Sequence, residues 1–496
     1  MDVIVRKADL GSRPAGLLAV GVNEDAKSRG DAAQRLDKAT RGAVAAVLAA
    51  GDFSGKAGET ALLYPRGVKA KRVLLVGLGR AAAPQRLLQY AATAARRARE
   101  LGAGSLALAL PAGCSAHDVR AIAEGAVLGH YRHTAYKRDS KPPLARIELL
   151  SGAAVGKPVA AAAEAGARRG EAVGLARDLA NTPGQDLVPE SLAERAREIG
   201  RHAGARVTVL DVDAMERLGM GCVLGVGRGS AHPPRFIVLE KEPAHAPKRG
   251  ARVPTIVVIG KGVTFDTGGY SLKPREGMSK MKYDMSGAAA VLGLFAASTT
   301  LALPVRLVGL IPSAENMVSS RAVKPGDVLR AIDGTTVEVT NTDAEGRLLL
   351  ADALGYARRF QPETVLDLAT LTGAISIALG RAAAGLFTRD DVLAAELLGA
   401  GSAVGERLWR MPLWDDYLVE MKGGETADLV NSSERKEGAA CTAAAFLEHF
   451  ARGMRWAHLD IASTAWTYEA RPESARGANA FGVRLLLEWL ETRAGA

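Results

Sequence analysis

The chain has 496 residues, 48% hydrophobic and 24% charged, with a formal net charge of +10, which fits a globular protein of two or three domains. No apolar stretch is long enough to span a bilayer as a helix. The three cysteines, Cys114, Cys222 and Cys441, are odd in number and far apart, which excludes a disulfide framework and suits a reducing compartment.

The N-terminus "MDVIVRKADLGSRPAGLLAVGV" has acids on both sides of its first basic residues and only a short apolar run. That is a poor signal peptide, so a cytoplasmic protein is expected. "RVLLVGLG" (72–79) predicts a buried strand, "PQRLLQYAATAARRARELG" (84–102) a helix, and "SLALAL" (105–110) the next strand. This βαβ rhythm implies a parallel sheet. Residues 1–170 carry 27 Lys and Arg against 14 Asp and Glu, an excess of 13, whereas the remaining residues carry 37 against 40. The asymmetry marks a separate domain and raises nucleic acid as a partner. An alanine-rich helix follows and stops before Pro183. The expected division is a basic N-terminal α/β domain over 1–160, a connecting helix over 161–190 and a larger domain over 191–496.

The larger domain alternates strands with helices. Its strands are "RVTVLDV" (206–212), "RFIVLEK" (235–241), "TIVVIGKG" (255–262), "VRLVGLIP" (305–312) and "TVLDLATL" (364–371), and helices are expected at 285–299 and 346–360. Together the pieces predict two α/β domains, the larger with a mixed central sheet flanked by helices. Two glycine-rich turns, "GLGRAA" (77–82) and "GVGRGS" (225–230), fit a dinucleotide fingerprint poorly and read better as plain turns. No histidine occurs from residue 246 to 448, so a metal site in this half needs carboxylates, which suit hard or borderline divalent ions.

Carboxylates do occur where strands end or helices begin. "VVIGKGVTFDTGGYSLKP" (257–274) carries Lys261, Asp266 and Lys273, "KMKYDMSGAAAVLGLF" (280–295) carries Asp284, and "NTDAEGRLLL" (341–350) carries Asp343, Glu345 and Arg347. Taken singly, each has a structural reading. Asp343 and Asp284 would be N-caps, Glu345 a first-turn acid facing the helix dipole, Asp266 a turn residue, and the lysines a solvated rim. Taken together, they gather where open α/β sheets bind ligands, and the glycines around them permit close backbone approach.

"GKGVTFDTGG", "KMKYDMSGAA" and "NTDAEGRL", in this order, resemble the leucine aminopeptidase (cytosol aminopeptidase) family of dinuclear metallopeptidases. The likeness extends through "ARDLANTPGQDLVPESLAERA" (176–196), "LDLATLTGAISIALG" (366–380) and "GGETADLVNSS" (423–433), so it covers about residues 170–490. Ser286 departs from the family, which usually has a second glycine after the metal aspartate, and Gly184-Gln185 replaces the usual Pro-Asn.

The resemblance implies a metal-dependent aminopeptidase that prefers N-terminal leucine and other apolar residues. It implies two divalent ions, Mn²⁺ or Zn²⁺, held by Lys261, Asp266, Asp284, Asp343 and Glu345, with Asp266 and Glu345 shared. Two such ions activate a water and polarise the scissile carbonyl. Lys273 would stabilise the oxyanion, and Arg347 would hold a bicarbonate acting as general base. Met281, Thr370 and Leu371 would line the side-chain pocket. A homohexamer is expected on the same ground. A second expectation is DNA binding through the basic first third, with "KAKR" (69–72), "ARRAR" (95–99) and "YKRDSK" (136–141) as phosphate contacts.

Overall fold

Two apolar runs that end in glycine, Val73–Gly79 and Thr255–Gly260, form fully buried strands, and the alanine-rich stretch 84–100 forms a helix. The computed structural model describes residues 2–24, 30–80, 83–138, 142–244, 253–300, 303, 305–435 and 437–494. Its contacts divide the chain into two units, Met1–Gly174 with Glu469–Arg476, and Leu175–Tyr468 with Gly477–Ala496. The first division falls inside the 25-residue helix Lys157–Asn181.

In the first unit, the run read as a buried strand is Val73–Gly79, with every residue buried. It belongs to a six-stranded sheet in the order Asp2–Lys7, Arg146–Ser151, Ser105–Ala109, Leu17–Asn23, Val73–Gly79, Thr60–Leu63. All neighbours are parallel except the last pair. Residues 81–82 of the glycine turn lie outside the described residues. The helix Pro84–Glu100 starts with proline, whose missing N–H costs nothing there. Its buried Tyr90 hydroxyl donates to the carbonyls of Ala19 (2.9 Å) and Ala109 (3.1 Å), tying the helix to two strands.

The same helix corrects the expected phosphate surface. Arg96 donates to the carbonyls of Pro472 and Ser474, and Arg99 to those of Gly129, His130 and Tyr131. Arg97 pairs with Glu100. The "ARRAR" cluster is therefore occupied with internal carbonyls and a neighbouring acid. Lys69 and Lys71 of "KAKR" are exposed, and residues 139–141 of "YKRDSK" lie outside the described residues.

The second unit holds a nine-stranded mixed sheet. Its order is Leu408–Arg410, Ala384–Phe387, Trp456–Asp460, Thr364–Ala369, Thr255–Gly260, Arg306–Asn316, Arg235–Lys241, Arg206–Leu210, with Gly262–Asp266 paired to Arg306–Asn316. The four central strands, from Trp456–Asp460 to Arg306–Asn316, run parallel. The helix Ser286–Ala297 is buried on nearly all sides, as its apolar, glycine-alanine composition requires. Thr336–Glu338 forms a short strand, and "GVGRGS" opens inside a short helix, Gly221–Gly227, rather than in a strand-to-helix turn. Among the described residues no helix is long and apolar enough to cross a membrane, and all three cysteines are free.

Candidate metal centre

The four parallel central strands end side by side, and each delivers polar groups there. Arg306–Asn316 ends on Asn316, Thr255–Gly260 leads into Lys261, Thr364–Ala369 into Thr370 and Leu371, and Trp456–Asp460 ends on Asp460. Lys261 sits where the chain passes from one strand to the next. Its N–H donates to Leu368 O (3.0 Å) and its carbonyl accepts from Ala288 N–H (2.9 Å), which pins it to the neighbouring strand and to the buried helix. The register of Gly262–Asp266 shifts between Val263 and Phe265, an irregularity of the kind that re-aims a side chain just before Asp266.

All ten residues singled out in the sequence line one cavity of about 430 Å³. Lys261 Nζ lies 2.7 Å from Glu345 Oε1, 3.0 Å from Asp284 Oδ2 and 2.9 Å from the Thr370 carbonyl. Lys273 Nζ lies 2.8 Å from Asp266 Oδ2 and pairs with Asp343. Oxygens of Asp266, Asp343 and Glu345 all lie within 4.8 Å of one another. Met281 stands in the 3₁₀ turn Met281–Tyr283 just before Asp284, and Thr370 Oγ1 donates to Asp284 Oδ1 at 2.7 Å.

Two glycines make this convergence possible. A Cβ on Gly346 would meet Lys261 Cε and Nζ at 2.7 Å, and Gly268 has φ of +85° with the Asp343 carboxylate 2.8 Å from where its Cβ would be.

The capping readings do not hold. The helix Glu345–Ala357 has Ala344 at its N-cap and Ser286–Ala297 has Met285, neither with a side-chain cap bond. Nor is Lys261 a solvated rim, since it is 2% exposed. The turn reading of Asp266 does hold beside the new one, because its Oδ1 accepts from Gly268 N–H at 2.8 Å. Ser286 turns its hydroxyl away from the acids, onto the Tyr283 carbonyl at 2.5 Å.

The electrostatics are those of a site short of positive charge. Four carboxylates, Asp266, Asp284, Asp343 and Glu345, face two ammonium groups. Burial pushes Asp266 up to about 6, and the Glu345 charge adds to it. Burial likewise raises Asp284 and Asp343. Burial also acts to raise Glu345, but Lys261 and Lys273 outweigh it and hold Glu345 below its ordinary value. Lys261 is raised, because Asp284, Glu345 and Asp266 overcome the burial that would lower it. Glu345 Oε2 is buried without a hydrogen-bond partner. An orphaned carboxylate oxygen among surplus negative charge is costly unless a cation completes it. Hard oxygen donors and one amine fit divalent ions.

Arg347 is buried on the first turn after Glu345. Burial lowers its guanidinium to about 10, against the opposing pull of Glu345 and Asp460. Its Nη1 donates to the Asn431 carbonyl at 2.8 Å. Sequence reading missed the residues that hold the centre together. Asn316 Nδ2 donates to Asp266 Oδ1 (2.8 Å) and to Thr342 O (2.9 Å), joining two acidic loops. Thr342 accepts from Ser271 N–H and donates to Gly268 O. Asn431 accepts from Thr340 and Asn341 N–H, and Asp460 from Leu371 N–H and Thr372 Oγ1. Their positions carry no spacing signal, since the bonds they make reach across 26 to 91 residues of chain.

Fold and cavity together define a class: an α/β protein whose sheet gathers carboxylates and a lysine at its strand ends, a donor set that could hold a metal ion. The cytosol aminopeptidase family's catalytic-domain model matches residues 174–487, and its N-terminal-domain model matches residues 19–140. A probable cytosol aminopeptidase of Roseiflexus castenholzii is 49% identical over 458 residues, covering 89% of this chain and 91% of that protein. Its counterpart in Geobacter sulfurreducens is 44% identical over 499 residues, covering 99% of each. Among solved structures, a variant of tomato leucine aminopeptidase superposes with a TM-score of 0.89 at 35% identity, over 99% of this chain and 96% of that one. The bottromycin maturation enzyme BotP, in complex with Mn, superposes at 0.84 and 38% identity, over 97% and 100%. The chain belongs to the cytosol aminopeptidase family and is a metal-dependent aminopeptidase, a hydrolase that works from the peptide N-terminus.

Proposed function

We propose that this aminopeptidase binds two divalent ions through Lys261, Asp266, Asp284, Asp343 and Glu345 and preferentially releases leucine and other apolar N-terminal residues. The observation that carries the proposal is the cluster of four acids around Lys261 and Lys273, Asp266, Asp284 and Glu345 buried and Asp343 half-buried, with Glu345 Oε2 left without a partner. When bound, such ions activate water and polarise a carbonyl. The residues themselves do the rest. Lys261 gives up its proton to serve as a neutral donor, and Asn316 keeps Asp266 aimed at the centre. Lys273, whose ammonium is held in the cavity by Asp266 and Asp343, would stabilise the oxyanion as it develops.

Arg347 presents a buried guanidinium with one nitrogen, Nε, unpaired, and that donor suits a small oxyanion such as bicarbonate acting as proton shuttle. Met281 and Leu371 add apolar side chains to the lining of the cavity, beside Thr370, which supports the preference for leucine. Assembly as a hexamer rests on the family resemblance and is read by light scattering. The function is tested with a panel of aminoacyl p-nitroanilides in the presence of Mn²⁺. The leucine and methionine substrates should exceed the glutamate and lysine substrates by at least about tenfold in kcat/KM. A flat profile, or a preference for charged side chains, would sink the proposed specificity.

A further inference from the structure

Away from the acids, the same cavity carries a second group of side chains that the chemistry above does not use. Trp466 stacks on Tyr283 with ring centroids 5.9 Å apart and planes at 16°. Two cations flank that one indole, Arg381 at 4.2 Å and Lys280 at 5.7 Å from its centroid. Arg381 also lies 5.5 Å from the Tyr468 ring, and its Nη1 donates to Ser463 O. Arg381, Lys280, Trp466 and Tyr283 all line the cavity. Among the described residues, neither cation lies within ion-pair distance of a carboxylate.

The cavity is thus sorted by charge and depth. Asp266, Asp284 and Glu345 are buried at its floor, while Lys280, Arg381 and Trp466 are only partly buried. A peptide held with its amine and scissile carbonyl at the floor must run its leaving side outward, at about 3.3–3.6 Å per residue. A cavity of about 430 Å³ takes in about the first two or three residues of a peptide.

We infer that Arg381 and Lys280, braced on Trp466, form a recognition wall for a carboxylate on the leaving side of the substrate. The wall fits the free C-terminus of a dipeptide or tripeptide, or an acidic side chain next to the scissile bond. The inference rests on the peptidase reading and adds a substrate class to it, short peptides with a negative charge just past the cleaved bond. Planar guanidinium donors take a carboxylate in a forked pair, and the aromatic bodies hold both cations in place without neutralising them.

The test compares kcat/KM for Leu-Gly with its C-terminal amide, and for Leu-Glu-amide with Leu-Gln-amide, in the Mn²⁺-loaded wild type and in Arg381→Gln and Lys280→Gln. The ratio of charged to neutral substrate is read rather than the absolute rate. Wild type should favour the charged member of at least one pair by about tenfold, the size of one charge-assisted hydrogen bond in a half-exposed cleft. Arg381→Gln should bring that ratio close to one, and raised salt should shrink it. A wild-type ratio near one in both pairs, or a variant that lowers both members of a pair equally, would overturn the inference. Failure of the Mn²⁺-loaded wild type to cleave any leucyl substrate would instead overturn the peptidase reading beneath it.

Discussion

Asn316 offers the sharpest test of how the acids are held. It is 6% exposed, and its Nδ2 donates to Asp266 Oδ1 at 2.8 Å and to Thr342 O at 2.9 Å. Asn316→Leu removes both donors with little change in volume. Asp266 Oδ1 keeps its bond from Gly268 N–H, so the larger loss falls on the Thr342 carbonyl. At about 1–3 kcal/mol for each buried acceptor left unmatched, the folded protein should lose roughly 2–4 kcal/mol. The turn carrying Asp343, just before the helix Glu345–Ala357, should also loosen from Asp266, and partners that orient metal ligands typically contribute about 10–100-fold in affinity. The assay is calorimetric titration of EDTA-stripped protein with Mn²⁺, beside thermal melting and circular dichroism to confirm the fold. A folded variant whose Kd stays within about twofold of wild type would refute the claim that Asn316 sets the geometry of the acids.

Other outcomes follow from the same geometry. Arg347→Ala should lower kcat by about 10²–10⁴-fold with metal content unchanged, by elemental analysis; equal loss of metal and rate would make Arg347 a structural support. Metal affinity should rise with pH. Lys261 is raised in the metal-free protein by Asp284, Glu345 and Asp266, and Asp266 itself is raised to about 6, so binding must expel protons that low pH restores. Titrations in buffers of different ionisation heat should therefore show proton release, with affinity falling steeply below pH about 6. Ser286→Gly should change Mn²⁺ affinity less than about threefold, because its hydroxyl bonds the Tyr283 carbonyl and not the acids.

The strands at 235–241 and 255–260 and the glycine-alanine helix were legible because apolar patterning is a local signal. The acids were legible for another reason, since "NTDAEGRL" and its companion motifs carry the family resemblance in consecutive residues. Patterning alone left Asp343 and Asp284 as plausible caps, and only the backbone shows the cap positions held by Ala344 and Met285. Asn316, Asn431 and Asp460 were not legible. Each works through hydrogen bonds to groups 26 or more residues away, and an asparagine or aspartate at a strand end looks the same whether it holds a loop or faces water. The arginines of 95–99 show the converse, since two of the three proved to be spent on internal carbonyls and the third on Glu100.

The central claim is that this chain hydrolyses peptides through metal ions held by Lys261, Asp266, Asp284, Asp343 and Glu345. The most direct measurement is the rate of leucine p-nitroanilide hydrolysis by protein stripped with EDTA, verified metal-free, and then titrated with Mn²⁺. Activity should be lost on stripping and should return with added Mn²⁺, levelling at two ions per chain. Hydrolysis at the normal rate by the verified metal-free protein would contradict the account.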